Sequence, residues 1–164
     1  LAQNYSRRGE SVLLIDADLR RPVFRGATNR QGLTKLLTND EPVRGHILET
    51  QFENLWLLPC GPTPPNPADL LSTGRFKEIV TEASEHFDRI IIDMPPVGPL
   101  ADVHVVTPLA DGLLMVVRAG ITPKPAIEQA LSGLDMGKVL GLVLNAAEGS
   151  TDAYGEAGYG YVAG

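Results

Sequence analysis

Two strongly apolar runs, each ending in an aspartate, constrain this chain more than any other feature. Residues 12–15 are Val-Leu-Leu-Ile and precede Asp16, and residues 90–92 are three isoleucines that precede Asp93. Unbroken apolar runs of this length are typical of strands that are covered on both faces, as in parallel sheets. A carboxylate at a strand end is costly unless positive charge is nearby, and ligands of open α/β sheets bind at the carboxyl ends of the strands. The two runs predict a shared cation at one sheet edge, Mg²⁺ on nucleotide phosphates.

The rest of the chain alternates between strand-like and helix-like segments. Strands are predicted at 11–16, 55–58, 89–93, 113–118 and 139–145, and helices from the start to Arg8 and at 32–38, 43–48, 68–87, 102–110 and 125–134. This alternation predicts an α/β fold with a doubly wound, mostly parallel sheet and helices on both faces. The pattern stops after Ala146. We therefore expect one nucleotide-binding domain at 1–146 and a flexible, Tyr-rich tail at 147–164.

Composition excludes several classes of function. The 164 residues suit one domain with a proper core. The formal net charge of −6 gives no overall attraction to nucleic acid, so no nucleic-acid partner is expected. A single cysteine, Cys60, rules out an internal disulfide framework and fits a reducing compartment. No apolar stretch reaches the length of a membrane span, so we expect any membrane association to come from other sequence or from a partner.

Four stretches, taken together and in this order, resemble the bacterial tyrosine kinases of capsule and exopolysaccharide export. Asp-Ala-Asp-Leu-Arg at 16–20 resembles their second nucleotide motif, Walker A′, and Asp-Met-Pro-Pro at 93–96 resembles their Walker B motif. The Pro-rich stretch 62–71 is similar to the loop and helix start between those motifs, and the Tyr-rich stretch 154–161 to their autophosphorylation cluster. The resemblance covers nearly the whole chain. It implies a P-loop NTPase fold, related to the partitioning ATPases, with ATP and Mg²⁺ as cofactors.

The resemblance also implies roles for the residues at the two strand ends. Asp16 is expected to lie next to Mg²⁺ and to accept the proton of the attacking tyrosine hydroxyl, and Asp93 to hold Mg²⁺ through water. Asp18 is expected to support either the metal shell or the shape of the loop. Arg20 is expected to contact phosphate or to pair with an acid. The alternative for each is an ordinary polar residue in the turn after a strand.

Two residues at the ends of the last strands are candidates for binding the nucleotide base. Related ATPases use an asparagine at the position of Asn145, and its amide matches the N6 donor and N7 acceptor of adenine. Arg118 ends the neighbouring strand and is expected to line the same site. The alternative for Asn145 is again a turn residue.

Three of the four tyrosines, Tyr154, Tyr159 and Tyr161, lie in the final stretch among glycine and alanine. A flexible tail of small residues suits a substrate that must reach an active site in another subunit, so we expect these tyrosines to be the phosphate acceptors. The alternative is a low-complexity aromatic tail without chemistry.

The phosphate loop of the family, Gly-x-x-x-x-Gly-Lys-Ser/Thr, is not found in this sequence, in which the sole Gly-Lys pair at 137–138 is followed by Val139. Residues 1–9 have the character of the last turns of a helix that ends at a glycine. In the family, a helix follows the phosphate loop, and we therefore interpret the chain as a fragment cut inside that helix. The alternative is a homologue that has lost the loop.

The leading functional hypothesis is an ATP-dependent protein-tyrosine autokinase that regulates capsular or exopolysaccharide synthesis. It would phosphorylate its own tail between subunits of a ring-like homo-oligomer. It would act in the cytoplasm, at the inner face of the plasma membrane, through a membrane adaptor or a fused membrane domain. One alternative is a partitioning-type ATPase switch, for which the tyrosine tail has no use. Another is a regulatory homologue without catalysis.

Overall fold

The structure of the protein is a computed structural model that describes residues 1–22, 24, 32–97 and 102–147. It divides into two compact units, Leu1–Asp111 and Gly112–Gly164. None of the helices in the described ranges has both the length and the apolar character needed to cross a bilayer.

The first unit contains a four-stranded sheet with a parallel centre. Its strands are β1 (Val12–Asp16), β2 (Leu48–Glu49), β3 (Leu55–Leu58) and β4 (Arg89–Asp93), in the spatial order β2-β3-β1-β4. The central strand β1 pairs in parallel with both β3 and β4, while the two-residue β2 pairs antiparallel with β3. The predicted mostly parallel sheet is confirmed.

Helices surround this sheet. They are α1 (Ala2–Ser6), α2 (Leu33–Thr38), α3 (Pro67–Leu71), α4 (Gly74–Ser84) and α5 (Asp102–Val106), with short 3-10 helices at Val43–His46 and Thr107–Leu109. Helix α1 ends at a turn in which Gly9 has a φ of 87°, the left-handed conformation that favours glycine. Helix α3 begins at Pro67, one residue before the predicted start at 68, because the fixed φ of proline suits the first helical position.

The core shows that β1 is covered on both faces. Leu13 and Ile15 belong to the main hydrophobic cluster, whereas Val12 packs in a second cluster with Ala2 of α1 and Leu55 of β3. Alternate residues of a strand point to opposite faces, so the two clusters lie on opposite sides of the sheet. The main cluster is completed by fully buried side chains that include Leu19, Leu33, Leu36, Leu58, Leu71, Phe76 and Ile79.

Arg75, at the start of α4, ties this helix to the segment that follows α2. Its Nε atom donates to the carbonyl of Leu36 at 3.3 Å, and its Nη2 atom donates to the carbonyl of Glu41 at 2.8 Å. The same guanidinium pairs with Asp40 and Glu78. One side chain therefore joins the last turn of α2 to the segment that precedes the 3-10 helix at Val43–His46.

The second unit is a small β-α-β arrangement: β5 (Leu113–Arg118), α6 (Lys124–Ser132) and β6 (Val139–Asn145). The two strands pair in parallel, with an irregularity between Leu113 and Leu114. Among the residues that the structure describes in this unit, the only buried hydrophobic side chain is Val117, at 7% exposure. Large apolar side chains remain exposed on both strands: Leu114, Val116, Leu140, Leu142, Val143 and Leu144.

Two secondary-structure predictions are wrong. The helix expected at 68–87 is two helices, α3 and α4, because the hydroxyls of Ser72 and Thr73 donate to the carbonyls of Asp69 and Leu70, each at 2.7 Å, and Thr73 is extended. Side chains of this kind compete with the helical backbone bonds. The helix expected at 43–48 stops at His46, and the chain then enters β2, where Leu48 pairs with Leu57.

Candidate active site

The carboxyl ends of β1 and β4 place two carboxylates side by side. Asp16 and Asp93 are register partners, and the N–H of Ala17 donates to the carbonyl of Asp93 at 2.9 Å. Register partners on neighbouring parallel strands lie about 4.8 Å apart and project to the same face of a sheet. We call Asp16, Asp93 and the nearby Asp18 the carboxylate edge.

The environment of this edge disfavours negative charge. Asp16 is fully buried, at 0% exposure. Burial, and then the negative charge of Asp18, raises the pKa of Asp93 above its usual value. A raised carboxyl pKa means that the charged form is under-stabilised, and a nearby cation would reverse the effect. The carboxylate edge therefore has the electrostatic character of a cation site.

A third strand end faces the same carboxylates. Cys60 lies just beyond β3 and is buried, and the pKa of its thiol is raised to about 11, first by burial and then by the negative charge of Asp16. A thiol in this state is protonated at neutral pH and is a poor nucleophile. The end of β3 lies next to that of β1, where Leu58 and Ile15 are register partners, and we assign Cys60 no chemistry of its own.

Asp18 shapes the loop that follows β1. Its Oδ1 atom accepts the backbone N–H groups of Arg20 at 3.1 Å and Arg21 at 2.9 Å. Short carboxylates commonly stabilise turns in this way. The sequence left two roles open for Asp18, support of the metal shell or of the shape of the loop. These two hydrogen bonds correspond to the second role. Arg20 and Arg21 lie on the surface at this turn.

The donor set fits Mg²⁺ bound jointly with phosphate. In residues 1–22, 24, 32–97 and 102–147 no three His, Cys, Asp or Glu side chains are grouped so that they could hold a metal by themselves. Mg²⁺ is usually bound by only one or two carboxylates, with water and substrate phosphates completing its shell. Asp16 and Asp93 supply such a pair.

The candidate base-binding residues come together at the end of the second unit's sheet. Arg118 and Asn145 are register partners on β5 and β6, and both are exposed. The side-chain oxygen of Asn145 accepts the N–H of Ala146 at 2.9 Å, and Ala146 has a φ of 52°, which is uncommon for a residue other than glycine. Tyr154, Tyr159 and Tyr161 lie outside the described residues.

Sequence reasoning gave His46 no role, yet it is 3% exposed and engaged at both ring nitrogens. Its Nδ1 atom accepts the backbone N–H of Gly32 at 3.0 Å, and its Nε2 atom lies 2.8 Å from Oε2 of Glu41. A lone histidine in the sequence carries no signal for such a contact. The sequence feature that comes closest to indicating this contact is the pair of glycines at 32 and 61, whose backbones approach closely in the structure.

Comparison with known proteins places the chain in a family, although no family model matches it. It is 36% identical over 151 residues to the putative tyrosine-protein kinase CapB of Staphylococcus aureus, covering 88% of this chain and 66% of CapB. It is 34% identical over 164 residues to the tyrosine-protein kinase CpsD of Streptococcus agalactiae, covering 96% of this chain and 72% of CpsD. The chain thus spans slightly less than two thirds of CapB.

Solved structures agree with these relatives. The VpsO kinase domain superposes with a TM-score of 0.80 at 27% identity, covering 88% of this chain and 73% of that domain. The septum site-determining protein MinD of Pyrococcus horikoshii, complexed with Mg-ADP, superposes with a TM-score of 0.65 at 22% identity, covering 87% of this chain and 60% of MinD, and shares the fold. From the identity to CpsD and the share of its length that is covered, the chain belongs to the bacterial tyrosine kinase family.

Proposed function

We propose that this chain carries the Mg²⁺-binding and base-binding parts of an ATP-dependent protein-tyrosine autokinase that regulates capsular or exopolysaccharide synthesis. The observation that supports this most directly is the pairing of Asp16 with Asp93 at the ends of two parallel strands. Both carboxylates lie where a cation would stabilise them, and the raised pKa of Asp93 is the electrostatic sign of that need.

Each side chain has a distinct task in this proposal. Mg²⁺ supplies charge neutralisation on the transferred phosphate when it is bound. Asp16, buried at the strand end, orients the tyrosine hydroxyl and takes its proton. Asp93 holds the metal's water shell, and Asp18 fixes the turn that presents Arg20 toward phosphate. Asn145 and Arg118 contact the adenine.

The acceptors in the proposal are Tyr154, Tyr159 and Tyr161, phosphorylated between copies of the protein. Each phosphate adds roughly −1.5 to −2 charges at pH 7. Because the chain already carries a formal net charge of −6, several phosphates on one tail would repel neighbouring copies. The unmodified protein is therefore the assembled form. It acts at the inner face of the plasma membrane through a membrane adaptor or a fused membrane domain.

The test uses the protein in its natural reading frame, including any residues that precede Leu1, with radiolabelled ATP and Mg²⁺. We expect Asp16→Asn to reduce tyrosine autophosphorylation by at least about 10²-fold, since a positioned acid–base group contributes at least that much. Asp93→Asn should raise the Mg²⁺ concentration needed for half-maximal activity. The matched control is Asp40→Asn, whose carboxylate is 98% exposed and lies on the loop after α2, and which should leave activity unchanged.

Mass spectrometry of the labelled protein locates the phosphates. Replacement of all three tail tyrosines by phenylalanine should abolish labelling and leave nucleotide binding intact. Release of inorganic phosphate without any phosphotyrosine would indicate a partitioning-type ATPase switch instead. Normal autophosphorylation in Asp16→Asn would reduce Asp16 to a turn residue.

A further inference from the structure

His46 is held in one protonation state by its two contacts. A backbone N–H can only donate, so the Nδ1 atom that receives the N–H of Gly32 must be unprotonated. The proton of the neutral ring is then on Nε2, which donates to the carboxylate of Glu41 at 2.8 Å. Addition of a proton at Nδ1 would place two N–H groups against each other. The contact with Gly32 therefore exists only while the ring is neutral.

Gly32 connects His46 to the carboxylate edge. A Cβ atom at Gly32 would lie 2.7 Å from the Cα and N atoms of Gly61, so the two backbones are in direct contact. The next two N–H groups, of Leu33 and Thr34, donate to the carbonyls of Pro59 and Cys60, both at 2.8 Å. These bonds hold the start of α2 against the end of β3.

The end of β3 in turn lies beside the end of β1, since Leu58 is the register partner of Ile15, the residue before Asp16. The path from His46 to Asp16 thus consists of a single buried hydrogen bond, a glycine–glycine contact and one loop. Every residue on this path is within the described ranges.

We propose that His46 is a positioning residue: as a neutral ring it holds the start of α2 against the end of β3, and on protonation it releases this contact beside the carboxylate edge. We call the contact between His46, Gly32 and residues 59–61 the latch. Its effect on catalysis rests on the proposed kinase function, whereas the existence of the latch does not.

The charged groups around the latch favour retention of the Nε2 proton. The hydrogen bond from His46 lowers the pKa of Glu41 below its usual value, which favours the ionised carboxylate as the acceptor of the Nε2 proton. The positive charge of Lys35 in α2 also lowers the pKa of Glu41, and the guanidinium of Arg75 in α4 donates to the backbone carbonyl of Glu41. Glu82 of α4 accepts the N–H of Val43, and Arg44 contacts the Nδ1 atom of His86. Protonation of His46 therefore breaks its contact with Gly32 and leaves its contact with Glu41 in place.

The chain offers a built-in probe, because Cys60 is its single cysteine and is 1% exposed at the end of β3. A pyridyl disulfide reagent, which reacts over a wide pH range, labels Cys60 only when the latch opens. The labelling rate of Cys60 in the folded protein is divided by its rate in the same protein unfolded in urea at the same pH. This division removes the pH dependence of the thiol's own reactivity. The ratio reports how often the latch opens.

Two isosteric variants separate the two ring contacts. His46→Asn keeps an oxygen acceptor near the position of Nδ1 and cannot titrate. His46→Gln keeps a donor near the position of Nε2 and offers no acceptor to Gly32. In the natural protein we expect labelling to accelerate roughly tenfold from neutral to mildly acidic pH, which corresponds to the loss of one buried hydrogen bond. His46→Asn should be slow at every pH, and His46→Gln fast at every pH.

A measurement on the natural protein alone keeps the test independent of how the variants fold. By NMR, the Gly32 amide signal and the His46 ring signals should change together as the pH is lowered, because the two groups share one hydrogen bond. A flat labelling profile, unlinked titrations, or Cys60 labelling that follows global unfolding would each overturn the latch. Kinase activity is measured separately. An inactive protein with a pH-dependent latch would contradict only the proposed function, whereas an active one with a flat profile would contradict only the latch.

Discussion

The two units are built from the same elements, parallel strands joined through helices, but they differ sharply in burial. In the first unit, β1 is buried on both faces, and Phe76, Ile79 and Leu13 are completely enclosed. In the described part of the second unit, Val117 is the one buried apolar side chain. Parallel sheets are stable when both faces are covered. The comparison teaches that most of the buried apolar surface of the described residues lies in the first unit, and we expect the second unit to open more easily.

The two candidate ligand sites follow the same division. At the carboxylate edge Asp16 is fully buried at the end of a strand whose two faces are covered, and Asp93 beside it is more exposed. Arg118 and Asn145 lie on exposed strand ends, where charge is well solvated. Catalytic groups need fixed positions, and a base-binding site tolerates more freedom.

The largest expected effect is a cavity in the first unit. Phe76→Ala should lower the free energy of unfolding by about 3–5 kcal/mol, because the ring is fully enclosed and its surroundings relax only in part. Urea denaturation followed by circular dichroism measures this. A loss below about 1 kcal/mol would remove the contrast between the units, since that value is typical of sites with little burial.

The next effect comes from the close approach at Gly32. Its φ is 133°, and a Cβ atom there would lie 2.7 Å from the Gly61 backbone, so Gly32→Ala should destabilise by about 3 kcal/mol. Gly9→Ala is the matched control. Gly9 also has a positive φ, 87°, but nothing lies within 4 Å of its Cβ position, and only about 1 kcal/mol is expected. Equal losses of stability in the two variants would mean that the positive φ alone determines the loss, and that crowding against Gly61 does not contribute.

The carboxylate edge should show a gain of stability when its charge is removed. Asp93→Asn should raise the free energy of unfolding at pH 7 by less than about 1 kcal/mol, since the group is partly solvated. The pKa of Asp93 is raised in the fold, so the charged form destabilises the protein above that pKa. The advantage of the variant should vanish as the pH falls through the folded pKa. Unfolding curves from pH 7 to pH 4 without Mg²⁺ test the sign, and a less stable variant at pH 7 would contradict it.

The smallest effect should lie on the second unit's surface. Leu140 is 72% exposed, so Leu140→Ser should change the free energy of unfolding by no more than about 0.5 kcal/mol. Val117→Ala in the same unit is the companion variant and should cost more, because Val117 is buried. A large loss in Leu140→Ser would show that this face is covered in solution.

Much of the first unit could be predicted from the sequence because its signals are local and strong. The run of residues before Asp16 and the one before Asp93 both form the expected strands, and α3 begins at Pro67, within one residue of the expected helix start. Parallel pairing of these strands then follows from the alternation of elements, which also accounts for the meeting of the two aspartates.

What escaped prediction depends on contacts between distant residues or on competition between weak local preferences. The break at Ser72–Thr73 was missed because hydroxyl-to-carbonyl bonds override good helical spacing only in particular geometries. The edge strand β2 is two residues long and carries no periodic pattern. The contact of His46 with Gly32 spans 14 residues and requires the fold itself to bring the two together.

The guanidinium of Arg75 has a consequence for how this protein tolerates changes in chain length. Exposed loops usually accept insertions. The stretch after α2 is on the surface, yet the carbonyls of Leu36, in the last turn of α2, and of Glu41, beyond the helix, both accept hydrogen bonds from the Arg75 guanidinium. An added or deleted residue between them would have to break one of the two bonds, and would also shift Glu41 relative to His46. We therefore expect a change in the length of this loop to cost more stability than its position on the surface suggests.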